Sequence, residues 1–167
     1  ILVLVGDLVE KGRDSLATLR YIMELSATHT VYALCGNCDN LAVDFIYGNG
    51  ELGRDFYRFY LSVWGERALI LQMAAEAGME VRGPGDLPGL RMLLLERFRS
   101  ELEFLRSLPT ILESEHLVFV HGGVPSYAHM EELDAWQCMK NDDFLGQGRV
   151  FPKYCVVGHW PVALYRG

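Results

Sequence analysis

Missing from this sequence is any run of eighteen apolar residues, so no transmembrane helix is indicated and no membrane partner is expected. Positive charge is also scarce. Fifteen Lys and Arg stand against 22 Asp and Glu, and a formal charge of -7 argues against the basic face that a nucleic-acid module needs. Four cysteines, Cys35, Cys38, Cys138 and Cys155, are too few and too irregularly spaced for a disulfide framework in 167 residues, which points to a reducing, cytoplasmic setting. Cys35 and Cys38 form a C-x-x-C, but the second pair that a zinc knuckle needs is absent, and a redox pair normally opens a helix. An initiator methionine is lacking too. Residues 1–5 already read as a core strand, so the expectation is an N-terminally truncated piece of a longer protein, and the missing signal peptide carries no weight.

What is present is one local event repeated four times. Short apolar runs at 1–5, 31–35, 117–120 and 154–157 each end on a glycine-marked polar turn: Gly6-Asp7, Gly36-Asn37, His121-Gly122-Gly123 and Gly158-His159. In α/β folds, ligands collect outside the carboxyl ends of the strands, where loops converge on a rigid sheet. One such turn alone is only a turn. Four together offer a carboxylate, an amide oxygen and two imidazoles, a set suited to manganese, iron or zinc and too rich in nitrogen for a calcium cage. An ion held there would let an acidic protein bind phosphate by reversing the local field.

Half of the residues are hydrophobic, enough for one domain with a substantial core. After the loop at 6–15, Asp14 or Ser15 is a suitable N-cap, and Leu16, Leu19, Ile22, Met23 and Leu25 predict an amphipathic helix over 15–28 packed on the sheet. A strand over 30–35 then lies parallel to 1–5 in a right-handed strand-helix-strand unit. The aromatic stretch 43–60 (Phe45, Tyr47, Phe56, Tyr57, Phe59, Tyr60) reads as part of a helical subdomain rather than a base-stacking platform. Helices are expected over 67–77 and 91–108, with a loop at 83–89 between them. Strands 109–113 and 116–120 should form an antiparallel hairpin. His29, His116 and His129 lack the strand-end glycine context and are expected to be solvated or to pack.

These residues carry a resemblance. Gly6-Asp7-Leu8-Val9-Glu10-Lys11-Gly12, Gly36-Asn37-Cys38-Asp39, His121-Gly122-Gly123 and Gly158-His159 resemble the later four motifs of the calcineurin-like metallophosphoesterases, most closely the phosphoprotein phosphatase branch and its bacterial relatives, which include diadenosine tetraphosphatases. The family's first motif, Gly-Asp-x-His-Gly, would lie upstream of Ile1. The resemblance implies an α/β fold with a mixed β-sandwich core flanked by helices, a single domain over 1–167, and a helical insertion over 44–108.

It also implies two divalent metal ions, manganese foremost and iron or zinc as alternatives. Asp7 would bridge them, and Asn37, His121 and His159 would complete the second ion's shell. Hydroxide held by the ions would attack phosphorus in line, hydrolysing a phosphomonoester on a phosphorylated protein or a small molecule. Lys11 stands where the family has a phosphate-binding arginine, and it supplies the charge without the bidentate fork. Lys140, Arg149 and Lys153 compete for the place of a second such arginine, with Arg149 favoured for its fork.

The sharpest departure is Cys38, which replaces the histidine that protonates the leaving oxygen, while Glu10 replaces the aspartate that holds it. A thiol with a pKa of about 8.5 is a poor acid for that role, and loss of general acid catalysis costs ~10²- to 10⁴-fold. Asp39 is then a substitute acid, and Cys38 is read equally as a mere space-filler. Two alternatives to the phosphomonoesterase follow: a weakly active or non-catalytic metal-held module that binds phosphate or a partner, and a dinucleoside polyphosphate hydrolase.

Overall fold

The computed structural model describes residues 1–48, 58, 60, 63–125, 133–144, 146 and 151–165, and divides the chain into two compact units. The first unit comprises Ile1–Asp7, Thr30–Asn37 and Leu108–Gly167. It holds strands β1 (Leu2–Leu4), β2 (Val31–Ala33), β3 (Ile111–Glu113), β4 (Leu117–Val120) and β5 (Tyr154–Val157), with the short helix α6 (Ala135–Met139). β1 and β2 pair in parallel, as the sequence predicts, with Leu2 opposite Val31. The other three strands form a mixed sheet in the order β3-β4-β5, in which the predicted hairpin places Ile111 opposite Val120, and β5 runs parallel to β4.

Pairing continues past the strand ends, which fixes the turns that follow. Leu34 N donates to Leu4 O beyond β1 and β2, Cys35 N to Pro109 O, and Gly158 N to His121 O beyond β4 and β5. The core of this unit is Val118, Val120, Val124, Cys138 and Phe144, with Ile111, Phe151 and Val157 packed around it. Gly123, at φ +135°, lies against the Phe144 ring where a Cβ would overlap it. That contact requires glycine twice over, for conformation and for space.

The second unit comprises Leu8–His29 and Cys38–Ser107 and is helical. α1 (Ser15–Thr28) has the predicted bounds, and Asp14 caps it by accepting from Ala17 N. Leu16, Leu19 and Ile22 are its buried stripe, and its partners within this unit include the helices described next as α3 and α5. α3 (Leu69–Glu76) follows a 3-10 turn at Gly65–Arg67.

Two expectations are corrected here. The loop predicted at 83–89 is a 3-10 turn, Pro84–Asp86, running straight into helix α4 (Leu87–Arg97), because Pro88 falls in the first turn, where its missing N–H costs nothing. The single helix predicted over 91–108 is two, α4 and α5 (Arg99–Arg106), broken at Phe98 with φ -124° and ψ 31°. The Phe98 ring is buried under the Arg20 guanidinium, so packing rather than proline or glycine turns the chain. Of the aromatic stretch, Phe45 and Tyr60 are buried, while Phe56, Tyr57 and Phe59 lie outside the described residues.

A third correction concerns Asn37. The sequence predicts a loop after β2, but Asn37 is the first residue of helix α2 (Asn37–Tyr47). None of the four cysteines is disulfide-bonded, and Cys138 and Cys155 sit in or against the core of the sheet unit. Among the described residues, no helix is long and apolar enough to cross a membrane.

Candidate metal centre

Asp7, His121 and His159 are brought together at the strand ends of the first unit, where one ligand atom from each lies within 4.8 Å of the others. Each arrives on a turn that its sequence makes possible. Gly6 (φ 89°) and Asp7 (φ 54°) are both left-handed, a conformation free for glycine and accessible to aspartate. Gly36 passes so close that a Cβ on it would overlap Asp7 N and press on Asp7 Oδ1, and a Cβ on Gly6 would fall 2.7 Å from His121 Nδ1. The two glycines are therefore what allows a carboxylate, an imidazole and the start of α2 to share one small volume. His159 is left-handed as well, at φ 62°, in a tight turn closed by Trp160 N donating to Gly158 O.

The two imidazoles present opposite nitrogens to the centre. His121 Nδ1 is 2.6 Å from the Val5 carbonyl oxygen, which can only accept, so that nitrogen carries the proton and Nε2 keeps its lone pair. Nε2 lies 3.3 Å from Asp7 Oδ1 and 3.3 Å from His159 Nδ1. His159 Nε2, on the far side of its ring, is 2.8 Å from Asp142 Oδ1. The Asp142 carboxyl is held below its usual range by that hydrogen bond and by the Lys140 ammonium 3.2 Å away. His159 also packs perpendicular to the Trp160 indole, with ring centroids 5.8 Å apart.

The donor set fits a divalent transition metal. Ligands at ~2.1 Å around one tetrahedral ion stand ~3.4 Å apart, and two of the three separations here, Asp7 to His121 and His121 to His159, are 3.3 Å. Asn37 belongs to the same unit, and its amide oxygen Oδ1 is buried. Each imidazole has an acceptor at its nitrogen facing away from the centre, the usual support for metal-ligating histidine.

The remaining predicted site residues lie in the helical unit or elsewhere. Glu10 is fully buried at φ 73°; its carboxylate accepts from the Tyr60 hydroxyl and from Leu69 N, and its own N–H donates to Ser15 Oγ. Burial raises its carboxyl from an ordinary 4.5 to about 7, an effect only partly offset by the bonds from Tyr60 and Leu69. Asp39 is equally buried, and its Oδ1 accepts from Leu8 N at 2.8 Å and Val9 N at 3.2 Å. Cys38, in the first turn of α2, is buried as well. The exposed Lys11 places its ammonium 5.0 Å from the centre of the Trp64 ring.

Of the three cations competing for phosphate, Lys153 is bonded to Glu113 and the Ser114 carbonyl, and Lys140 to Asp142. Arg149 lies outside the described residues, as does His129. Sequence reasoning missed three partners of these candidate residues. Asp142 sits beside no glycine and after no strand, and the Val5 carbonyl has no side-chain signal at all. Tyr60 reads as one aromatic among many.

The match to known proteins agrees with this geometry. The family model for calcineurin-like phosphoesterases matches residues 1–163. The chain belongs to that family, whose members use divalent metals and hydrolyse phosphate esters, and its mixed α/β architecture is consistent with the metallophosphoesterase fold. No curated protein and no solved structure matches it.

Proposed function

We propose that the chain is a metal-dependent phosphatase of the phosphoprotein phosphatase type, hydrolysing a phosphomonoester on a protein or a small molecule in the cytoplasm. The observation that carries this reading is the convergence of Asp7 Oδ1, His121 Nε2 and His159 Nδ1 at spacings suited to one ion. Asn37 is assigned as a further ligand, and manganese is the preferred metal of a two-ion centre, with iron or zinc as alternatives. Bound divalent ions supply a Lewis acid for the phosphoryl oxygens and a water acidic enough to react at neutral pH.

The protein's own part is positional. Asp7 brings the negative charge that retains the ions, and the Val5 carbonyl keeps the His121 proton away from them. The left-handed turns at Asp7 and His159 hold both donors inward before any ligand arrives. Lys11 and Arg149 are assigned to substrate phosphate. Glu10, Cys38 and Asp39, all enclosed, act on the reaction through the segment they hold, with Asp39 gripping the amides of Leu8 and Val9 just after Asp7. With a buried thiol in place of an imidazole acid, the best substrates are esters whose leaving group departs without a proton, such as aryl phosphates or pyrophosphates, the latter including dinucleoside polyphosphates.

The test is hydrolysis of para-nitrophenyl phosphate with manganese, beside Asp7→Asn and Cys38→His. The proposal expects turnover by the wild type, none by Asp7→Asn, and a Cys38→His gain larger for alkyl than for aryl esters. Tight manganese binding without turnover by any form would favour a metal-held binding module instead, a reading to which the burial of Cys38 lends support.

A further inference from the structure

The structure assigns to Asp142 the role of positioning residue for His159, with Lys140 as its electrostatic anchor; the inference rests on the metal-centre reading above. A histidine can offer a metal only the nitrogen that lacks a proton, so whichever nitrogen is held by an acceptor decides which one is available. His159 Nδ1 faces the cluster, 3.3 Å from His121 Nε2, and Nε2 faces Asp142 Oδ1 at 2.8 Å. An ionised carboxylate only accepts, so this contact places the His159 proton on Nε2 and leaves Nδ1 open. His121 solves the same problem in the opposite sense, with its proton held on Nδ1 by Val5 O.

The two acceptors differ in kind. Val5 O is a neutral backbone group, next in the chain to Leu4, whose carbonyl accepts from Leu34 N. Asp142 is a half-exposed side chain in the turn after α6, beside the Lys140 ammonium at 3.2 Å and bonded to no strand. The carboxylate also makes the imidazole a stronger donor to an ion, as acidic partners of metal-bound histidines do. Lys140 competes for the same Oδ1 and restrains the carboxylate against rotating away from the ring. Nothing in the local sequence, Met139-Lys140-Asn141-Asp142-Asp143, marks either aspartate as part of the centre, and it is Asp142 that meets the ring.

Three readouts on the full chain test this: manganese affinity by calorimetry, the His159 tautomer by long-range proton-nitrogen NMR of the imidazoles in chelator, and thermal unfolding in chelator. Asp142→Ala should weaken manganese about 10- to 100-fold and move His159 from a single Nε2-protonated form to a mixture, with His121 unchanged. Asp142→Asn keeps an acceptor oxygen and should retain the tautomer while losing part of the affinity. Unfolding in chelator should match wild type, since Asp142 is half-exposed. Unchanged affinity and tautomer in Asp142→Ala would overturn the inference. If the wild type binds no manganese at all, the metal-centre reading fails, while the tautomer in metal-free protein still decides whether Asp142 orients the ring.

Discussion

Glu10→Gln should make the chain more stable at alkaline pH and leave it little changed at acid pH. Glu10 is enclosed beside Tyr60, Leu69 N and Asp39, and burial raises its carboxyl from 4.5 to about 7. The folded value lies above the unfolded one, so between these limits the folded chain holds a proton that the unfolded chain has released. The stabilising contribution is complete below pH 4.5 and is lost as pH climbs through about 7. At 1.36 kcal/mol for each tenfold change in proton affinity, the full span amounts to about 3 kcal/mol, most of which falls between pH 5 and pH 8. Glutamine keeps an oxygen to accept from Leu69 N and an amide to reach the Tyr60 oxygen, but it never ionises. Urea unfolding of both forms at pH 5 and pH 8, in chelator so that metal linkage cancels, should show the difference moving by about 2 to 3 kcal/mol toward Gln, or roughly 8 °C in Tm for a chain of this size. Contributions remote from Glu10 cancel in the difference between the two forms. A difference that stays constant across that range refutes the assignment of a buried, partly protonated Glu10.

Tyr60→Phe should cost about 1 to 3 kcal/mol at pH 8 and less at pH 5 in the same assay, because the ionised Glu10 loses its closest donor. Gly36→Ala should abolish high-affinity manganese binding in calorimetry, since the new Cβ displaces Asp7. That substitution should also lower Tm measurably in chelator, whereas Gly12→Ala, where a Cβ meets nothing, should do neither. Asp7→Asn should leave Tm in chelator within a few degrees of wild type while removing the manganese-dependent increase in Tm.

Much of this was legible because it depends on local rules. The β1 and β2 pairing, the bounds and cap of α1, the hairpin and β5 follow from short apolar runs, helical spacing and turn residues, and the glycine after each strand marks where Asp7, His121 and His159 emerge. The failures differ in origin, one in packing between distant segments and the others in helix starts that the local sequence disguises. Phe98 breaks a helix because its ring is buried, Asn37 opens a helix rather than a loop, and Pro88 begins a helix that its neighbours Gly83, Pro84, Gly85 and Gly89 disguise. The partners of the candidate site residues were hidden by the first of these. Val5 O, Asp142 and Tyr60 act through contacts that no spacing rule announces.

His121 binds the Val5 carbonyl across 116 residues of chain, and His159 meets His121 across a further 38. The donor set is therefore assembled from the beginning, the middle and the end of the first unit. An ion bound there acts as a clasp, since it joins segments whose closure is otherwise costly in chain entropy. During synthesis the β3 and β4 hairpin can form early, yet the set of donors stays incomplete until residue 159 has been made. Metal occupancy thus reports that the strand ends of this unit have come together. A shortened product carrying every strand but the last turn would keep much of its sheet and still fail to retain the ion.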